Sequence, residues 1–315
     1  MIQRSPVVLS GQRKLLQRIL RHWQLYLLLL LPVAYVIIFD YIPMAGVQIA
    51  FRKYNIRKGI WNSNWLGIDN FLRFFSSYQF ERTVTNTLAL SFYSLIAGFP
   101  LPVILALGLN AMESKKYRNF IQNVIYIPHF LSIIVLIGLV NQIFNPRIGV
   151  YGILWGLFNE GYAPSLTGQA DTFRHFYIWS GVWQNMGWGS ILYFAALSGV
   201  DQTLHEAAEI DGASRFQRLL HVDIPHIIPT IAISLILRMG SIMSIGFEKA
   251  YMMQTKLNLP VSEVISTYVY KIAMASGTSD FSYSTAIGLF NSVINLSMLV
   301  IVNRISRRVS ETSLW

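Results

Sequence analysis

Residues 204–225 read LHEAAEIDGASRFQRLLHVDIP, and this polar stretch lies between two long apolar runs. Its first part favours helix, because the paired alanines have high helix propensity. Asp211 and Gly212 then form a turn signal. Apolar residues from Phe216 onward recur at helical spacing. The segment is therefore predicted to be a short helix, a tight turn and a second helix, with Pro225 marking the approach to the next apolar run.

Apolar runs of membrane-spanning length occur throughout the chain. A helix needs about 20 mostly apolar residues to cross the hydrocarbon core. Six runs meet this length: 24–42, 86–111, 122–144, 175–198, 226–247 and 284–303. Pro100, Pro102 and Pro128 lie inside the second and third runs, where neighbouring helices and water can satisfy the freed carbonyls. The pattern predicts an all-α membrane protein with six transmembrane helices.

The composition agrees with a membrane protein and excludes several other classes. Hydrophobic residues make up 53% of the chain and charged residues 13%, whereas soluble domains carry about 25% charged residues. The net charge of +10 resides in short tracts beside apolar runs, which favours membrane orientation over nucleic-acid binding. There is no cysteine, which excludes disulfides and thiolate chemistry.

The distribution of Arg and Lys predicts the topology. Basic residues concentrate in the N-terminal tail 1–23, in the connection 112–121 and in the C-terminal tail 304–315. The positive-inside rule places these segments in the cytoplasm. The external connections are then 43–85, 145–174 and 248–283, and each is long enough to carry short interfacial helices. The first of them is also basic, but long segments translocate more freely.

The spacing of residues within 204–225 matches a known signature. The segment resembles the EAA signature of ABC importer permeases, which is Glu-Ala-Ala, three residues, Gly, nine residues and Ile-x-Leu-Pro. The counterpart here is Glu206-Ala207-Ala208, Gly212 and Val222-Asp223-Ile224-Pro225. Both gaps match, and Val for Ile and Ile for Leu are conservative departures. The resemblance covers roughly 80–305 and implies a type I ABC importer permease fold with a permease core over 86–303.

The resemblance implies that 204–225 is the coupling segment, which sits in a groove of a cytoplasmic ATPase subunit. Small alanines permit close approach in such helix-in-groove contacts, and Gly212 permits a sharp bend. Glu206 is placed to pair with a basic group of the ATPase. The implied contact residues are Glu206, Ala207, Ala208, Asp211, Gly212 and Ala213. The alternative is an ordinary surface hairpin, which the full spacing and the topology make much less favourable.

The resemblance also implies partners and a location. They are a second homologous permease subunit, two ATP-binding subunits, an extracytoplasmic solute-binding protein and a sugar or oligosaccharide substrate. The setting is the lipid of a bacterial cytoplasmic (inner) membrane. The chain has no GxxxxGK[ST] sequence, so ATP and Mg are expected on the partner subunits and the chain itself is not an enzyme. The extra first helix, 24–42, resembles the branch that imports oligosaccharides, including polysaccharide fragments.

Arg238 lies near the middle of the fifth run, where insertion scales assign an Arg a cost of about 2.5–3.5 kcal/mol. Asp40 and Glu248 lie only near the ends of runs, so Arg238 has no acidic partner at its own depth in this chain, and its counter-group is a carbonyl, the second permease, cavity water or an acidic substrate. By helical spacing, Ser234, Arg238, Ser241 and Glu248 share one face, which is predicted to line the cavity. A purely structural Arg is an equal alternative.

Aromatic and amide side chains in the fourth and sixth runs suggest a sugar path, since aromatic faces and amides suit sugar rings. The alternative is helix packing, with Gly181, Gly187 and Gly189 leaving room for the bulky rings. The predicted substrate pathway comprises Trp183, Gln184, Asn185, Trp188, Arg238, Ser241, Asn291 and Asn295.

Two rival functions are a self-sufficient secondary transporter or channel and a membrane-embedded enzyme. The first usually carries an acidic residue inside a helix for ion coupling, and none is present here. The second needs a catalytic constellation, and the sequence offers none. The six histidines show no metal-binding spacing.

Overall fold

The computed structural model describes residues 21–275 and 279–309, so most of the predicted N-terminal tail and half of the C-terminal tail lie outside the described residues. The first helix, α1, spans Trp23–Val36. It continues through a π-helical turn, the short helix α2 (Ile42–Met44) and a 3₁₀ helix to form one apolar rod, Trp23–Phe51. No residue of α1 is buried, so its sides are free to face lipid.

A two-stranded antiparallel sheet follows this first rod. Strands β1, Arg52–Asn55, and β2, Gly59–Trp65, pair in a hairpin that the all-α prediction missed. Strands this short carry too little periodicity to be recognised among basic and aromatic residues. The Tyr54 N–H donates to Ser282 Oγ at 2.9 Å, which ties the hairpin to the last helix of the chain.

The remaining helices belong to the membrane domain and its connections. They are α2 Ile42–Met44, α3 Asp69–Phe75, α4 Tyr78–Gly98, α5 Pro100–Asn110, α6 Lys115–Tyr126, α7 Ile133–Ile143, α8 Val150–Phe158, α9 Ala170–Leu197, α10 Gln202–Ile210, α11 Arg215–Arg218, α12 Ile224–Met239, α13 Phe247–Met252, α14 Leu259–Ser262, α15 Ile265–Tyr270 and α16 Phe281–Val309. Short helices therefore occur in all three long connections, as predicted.

The number of membrane spans differs from the expected six. Within the described ranges, four helices are long and apolar enough to cross a membrane: Trp23–Phe51, Tyr78–Asn110, Arg215–Met239 and Phe281–Arg308. A fifth candidate is the pair Lys115–Phe130 and Ile133–Ile143, whose axes are bent by 102° relative to each other. The fourth predicted run, 175–198, corresponds to α9, which has 28 residues but too many polar ones to pass as an apolar span. The count of six is thus not confirmed.

The bend falls inside the predicted third span, 122–144. Pro128 lies in a 3₁₀ turn, Ile127–Phe130, and α7 begins anew after it. The Ser132 side chain caps α7 by accepting from the Val135 N–H. Gln184 Nε2 of α9 donates to the Leu131 carbonyl at 2.8 Å, which satisfies a backbone group left free by the break.

The predicted fifth span, 226–247, is displaced toward the N-terminus. One helical rod begins at Arg215 and ends at Met239, before Gly240. The chain after it is held by Asn295 of α16, whose Oδ1 accepts from the Met243 N–H at 2.8 Å and whose Nδ2 donates to Ser244 Oγ at 2.8 Å. These bonds replace the helical ones. The prediction that Ser241 and Glu248 share a helical face with Arg238 is therefore wrong.

Helix α9 lies at the centre of the domain. Its apolar residues join two hydrophobic clusters, one with Leu90, Ala250 and Val264 and the other with Ala106 and Ile227. A third cluster packs α3, α12 and α16 together. Because one face of α9 is buried against protein, it can carry polar groups there that a lipid-facing surface would not tolerate.

Candidate functional site

The first candidate site is the polar segment between α9 and α12. Helix α10 begins at Asp201, whose carboxylate accepts from the Thr203 N–H at 3.0 Å. This hydrogen bond lowers the pKa of the Asp201 carboxyl. At the other end, the Ala213 N–H donates to the Ala208 carbonyl and the Gly212 N–H to the Glu209 carbonyl, which is a Schellman motif.

The turn requires glycine at its centre. Gly212 has φ +80°, a left-handed conformation that L side chains rarely adopt. The predicted sharp bend at Gly212 is therefore present. Directly after it, Ser214 forms a capping box with Gln217 and starts a new helix. That helix runs without interruption into α12, so Pro225 lies inside the rod and not ahead of it.

Three pairs of oppositely ionisable side chains hold this segment, two within it and one to a residue before α6. Arg218 Nη1 lies 2.6 Å from Glu209 Oε2 and joins the two arms of the bend. His205 Nε2 lies 3.2 Å from the buried Asp223, at the base of the second arm. Arg215 pairs with Glu113, which precedes α6. A displacement of α10 would therefore be transmitted to α12 and α6.

The outer face of the segment combines apolar and acidic side chains. Ile210 is 87% exposed and Phe216 68%, and Leu204 is also exposed. Glu206 and Asp211 are exposed and make no ion pair within 21–275 and 279–309. Large apolar side chains in water beside unpaired carboxylates are typical of a surface that binds another protein.

The second candidate site is a cavity of about 590 Å³ between α4, α5, α9, α12 and α13. Among the predicted pathway residues, Asn185, Trp188 and Arg238 line it, as does Gln184. Ser241 lines a smaller cavity of about 190 Å³ that shares Ser94, Tyr177, Arg238 and Gly246 with the first. The structure thus brings together residues from distant parts of the sequence.

Several predicted pathway residues are held in hydrogen bonds within the protein. Gln184 is buried and bonds the Leu131 carbonyl, and Asn295 holds the chain after α12. Asn185 Oδ1 contacts His129 Nδ1 at 3.0 Å, and the ring of His129 stacks on Trp188 at 4.5 Å. Asn185 and Trp188 therefore belong to one polar and aromatic cluster on the cavity wall.

Two predicted residues lie elsewhere. Trp183 lines a separate apolar cavity of about 490 Å³ together with Phe144 and His175. Asn291 lines neither of the two cavities around Arg238, and its buried Oδ1 has no hydrogen-bond partner among the described residues. A pathway role for these residues stays a prediction.

Lys249 is the cavity residue that the sequence analysis missed. It lies in α13, in the segment 248–283 that was expected to be an external connection. Its side chain is 7% exposed, and its Nζ donates to the Tyr177 carbonyl at 2.7 Å. The sequence shows Lys249 just after the predicted run 226–247. Whether its side chain points into the cavity depends on the break in the helix after Met239.

The glycines of α9 make room for different groups than expected. A Cβ on Gly181 would lie 2.9 Å from Lys249 Nζ, and one on Gly187 would lie 2.1 Å from the Ile125 carbonyl oxygen. A Cβ on Gly189 would contact Pro102. These glycines therefore accommodate an ammonium group and neighbouring helices, and not the tryptophan rings.

A family model described as "Binding-protein-dependent transport system inner membrane component" matches residues 98–311, which include both candidate sites. The chain belongs to this family. The permease is thus an inner-membrane component of an ABC transporter, it carries several apolar spans, and its family is one of transporters and not enzymes.

Curated relatives cover nearly the whole permease. Protein LplB of Bacillus subtilis (strain 168) is 39% identical over 313 residues, which is 99% of this chain and 97% of LplB. The polygalacturonan/rhamnogalacturonan transport system permease protein YteP of the same organism is 34% identical, over 96% of this chain and 94% of YteP.

Solved structures show the same fold. A bacterial ABC transporter "involved in the import of the acidic polysaccharide alginate" contains a chain that superposes with a TM-score of 0.85 at 37% identity. The match covers 94% of the permease and 99% of that chain. A second structure of a bacterial alginate ABC transporter, in complex with a periplasmic protein bound to alginate pentasaccharide, gives the same TM-score at 36% identity, over 95% of the permease and 99% of that chain. The expected ABC importer permease fold is confirmed.

Proposed function

We propose that the permease is one of two membrane subunits of an ATP-driven importer that carries sugars or oligosaccharides released by a solute-binding protein. The observation that carries this proposal is the exposed surface around the Gly212 turn, with Ile210, Phe216 and Glu206 on it. The family description supports a binding protein as partner, and the names of the relatives support saccharides as substrates.

In this proposal, residues 204–225 dock into a cytoplasmic ATPase subunit. The contact residues are Glu206, Ala207, Ala208, Asp211, Gly212 and Ala213. ATP and Mg are bound by that subunit and its twin, and the permease binds neither. When the ATPase subunits close, the ion pairs of Arg218, His205 and Arg215 pass the movement on to α12 and α6. The cavity then opens alternately to the two sides of the membrane.

The experiment replaces Glu206 by Lys in the complete transporter, reconstituted in vesicles with its ATPase subunits, second permease and binding protein. Glu206 is exposed and makes no ion pair with any residue that the structure describes, so the change should leave the fold intact and repel a basic group of the ATPase. Saccharide uptake and substrate-stimulated ATP hydrolysis should both fall by about ten-fold or more. The control is Glu160→Lys, an exposed acidic residue on the loop after α8. Full coupling in the Glu206 variant would falsify the docking assignment.

The same proposal places six crossings in the membrane, with both termini in the cytoplasm. Helix α9, with 28 residues, would measure about 42 Å at 1.5 Å per residue, which is enough to cross. The bent pair α6–α7 supplies a further crossing. Single cysteines in this cysteine-free chain can test the orientation in intact cells. An impermeant thiol reagent should label position 160 and leave position 214 unlabelled, and the reverse pattern would reject the topology.

A further inference from the structure

The two cavities around Arg238 have an unbalanced charge. Among the described residues, their charged lining groups are Arg238 and Lys249, and neither cavity is lined by Asp or Glu. Lys249 is 7% exposed, and a charge removed from bulk water in this way is costly unless it is paired. The imbalance therefore calls for an anion that the described part of the permease does not supply.

Arg238 is free to bind such an anion. It is exposed to the cavity, and its guanidinium lies 5.9 Å from the ring centroid of Phe99. Its side chain makes no hydrogen bond or ion pair with any residue in the described ranges. A planar guanidinium in this state presents donors that fit a carboxylate in a bidentate arrangement.

Lys249 approaches the same cavity from α13. One N–H of its ammonium group bonds the Tyr177 carbonyl at 2.7 Å, and the group lies 4.9 Å from the Tyr177 ring centroid. The ammonium has three donors, so two remain for a ligand. Gly181 faces it so closely that an added Cβ would lie 2.9 Å from Nζ. The position of the ammonium thus depends on the absence of a side chain at Gly181.

We propose that Arg238 and Lys249 form a two-cation site that binds the carboxylates of an acidic oligosaccharide within the cavity. The inference rests on the proposed function and deepens it by naming the substrate class. The cavity volume of about 590 Å³ lies within the usual range of ligand pockets. Trp188 and Asn185 line the same cavity, and they supply the aromatic face and the amide that suit a sugar ring. The cations supply the preference for an acid.

The test measures direct binding to the assembled permease–ATPase complex in detergent by calorimetry. The probes are uronate trisaccharides of several ring configurations, each paired with its carboxyl-reduced, neutral form. The complex should bind at least one uronate about ten-fold or more tightly than its reduced form, because two charge-assisted contacts are lost on reduction. Arg238→Gln and Lys249→Met should each remove most of this difference, because they weaken binding of the uronate far more than binding of the neutral form.

Two glycine variants separate this role from a loss of folding. Gly181→Ala must displace the Lys249 ammonium and should reduce the preference for the uronate. Gly108→Ala in α5 is the matched control, since its Cβ would have no atom within 4 Å and Gly108 lines neither cavity around Arg238. It should keep the preference.

The outcomes distinguish the two proposals. A complex that takes up saccharide but binds every uronate no better than its reduced form overturns the two-cation site. The site is also overturned if the Arg238 and Lys249 variants weaken both forms equally. A complex that takes up no saccharide of either kind overturns the proposed function instead.

Discussion

The coupling segment and the cavity differ in how far apart their residues lie in the sequence. The coupling segment is one continuous stretch, and its capping bonds join residues only a few positions apart, such as Ala213 to Ala208. The cavity is assembled from α4, α5, α9, α12 and α13, and its wall depends on bonds such as Lys249 to Tyr177, 72 residues away. A substitution in the first region should therefore act on coupling alone, and one in the second on both substrate and folding.

The largest effect is expected at the turn of the coupling segment. Gly212→Val would place a β-branched residue at φ +80°, a conformation that costs such a residue about 1–3 kcal/mol. The turn should open and the ATPase should lose its contact surface, so uptake should fall by about ten-fold or more. Uptake in reconstituted vesicles measures this, with subunit stoichiometry determined on the same sample. The chain should still insert in the membrane in normal amounts.

A matched control for that variant is Gly108→Ala in α5. A Cβ at this position would have no atom within 4 Å, and its φ lies outside the left-handed range. Normal uptake is expected. If Gly108→Ala lost as much uptake as Gly212→Val, the special role of the turn would be refuted.

A second, intermediate effect is expected within the cavity wall, where neighbouring amides of α9 have different roles. Gln184→Leu leaves the Leu131 carbonyl at the break before α7 without its partner, which costs about 1–3 kcal/mol. The thermal stability of the detergent-solubilised complex should decrease, and assembly with it. Asn185→Ala removes an exposed amide, so it should keep the stability and alter uptake. Equal loss of stability in both variants would contradict this division.

The smallest effect is expected for the ion pair between the arms of the coupling segment. Arg218→Gln breaks its contact with Glu209, which is largely exposed, and such pairs contribute about 0–1 kcal/mol. Stimulated ATP hydrolysis should fall by about three-fold or less, and less still at high salt, where the pair is already screened. The charge-swapped double variant Glu209→Arg with Arg218→Glu should restore activity. No recovery in the double variant would show that the pair does not transmit movement.

The sequence predicted the helix, turn and second helix of residues 204–225 closely because this structure is local. The spacing from Glu206 to Pro225 pointed to the family, and the turn signal at Gly212 corresponds to the left-handed residue at the bend. Only the role of Pro225 was misjudged, because the helix after the turn is longer than the polar stretch suggested. The apolar runs likewise located most of the helices, since membrane insertion selects for composition over about 20 residues.

The tertiary structure alone decided which polar groups line the cavity. The helix ends at Met239, and Asn295 of α16 stabilises the break after it. Helical spacing therefore could not predict which residues beyond Met239 lie on the same side as Arg238. After the same break, Lys249 of α13 lines one cavity together with Arg238. Hydrogen bonds between residues more than fifty positions apart determine which side chains face the cavity. A pattern of residue types along the sequence does not contain these long-range contacts.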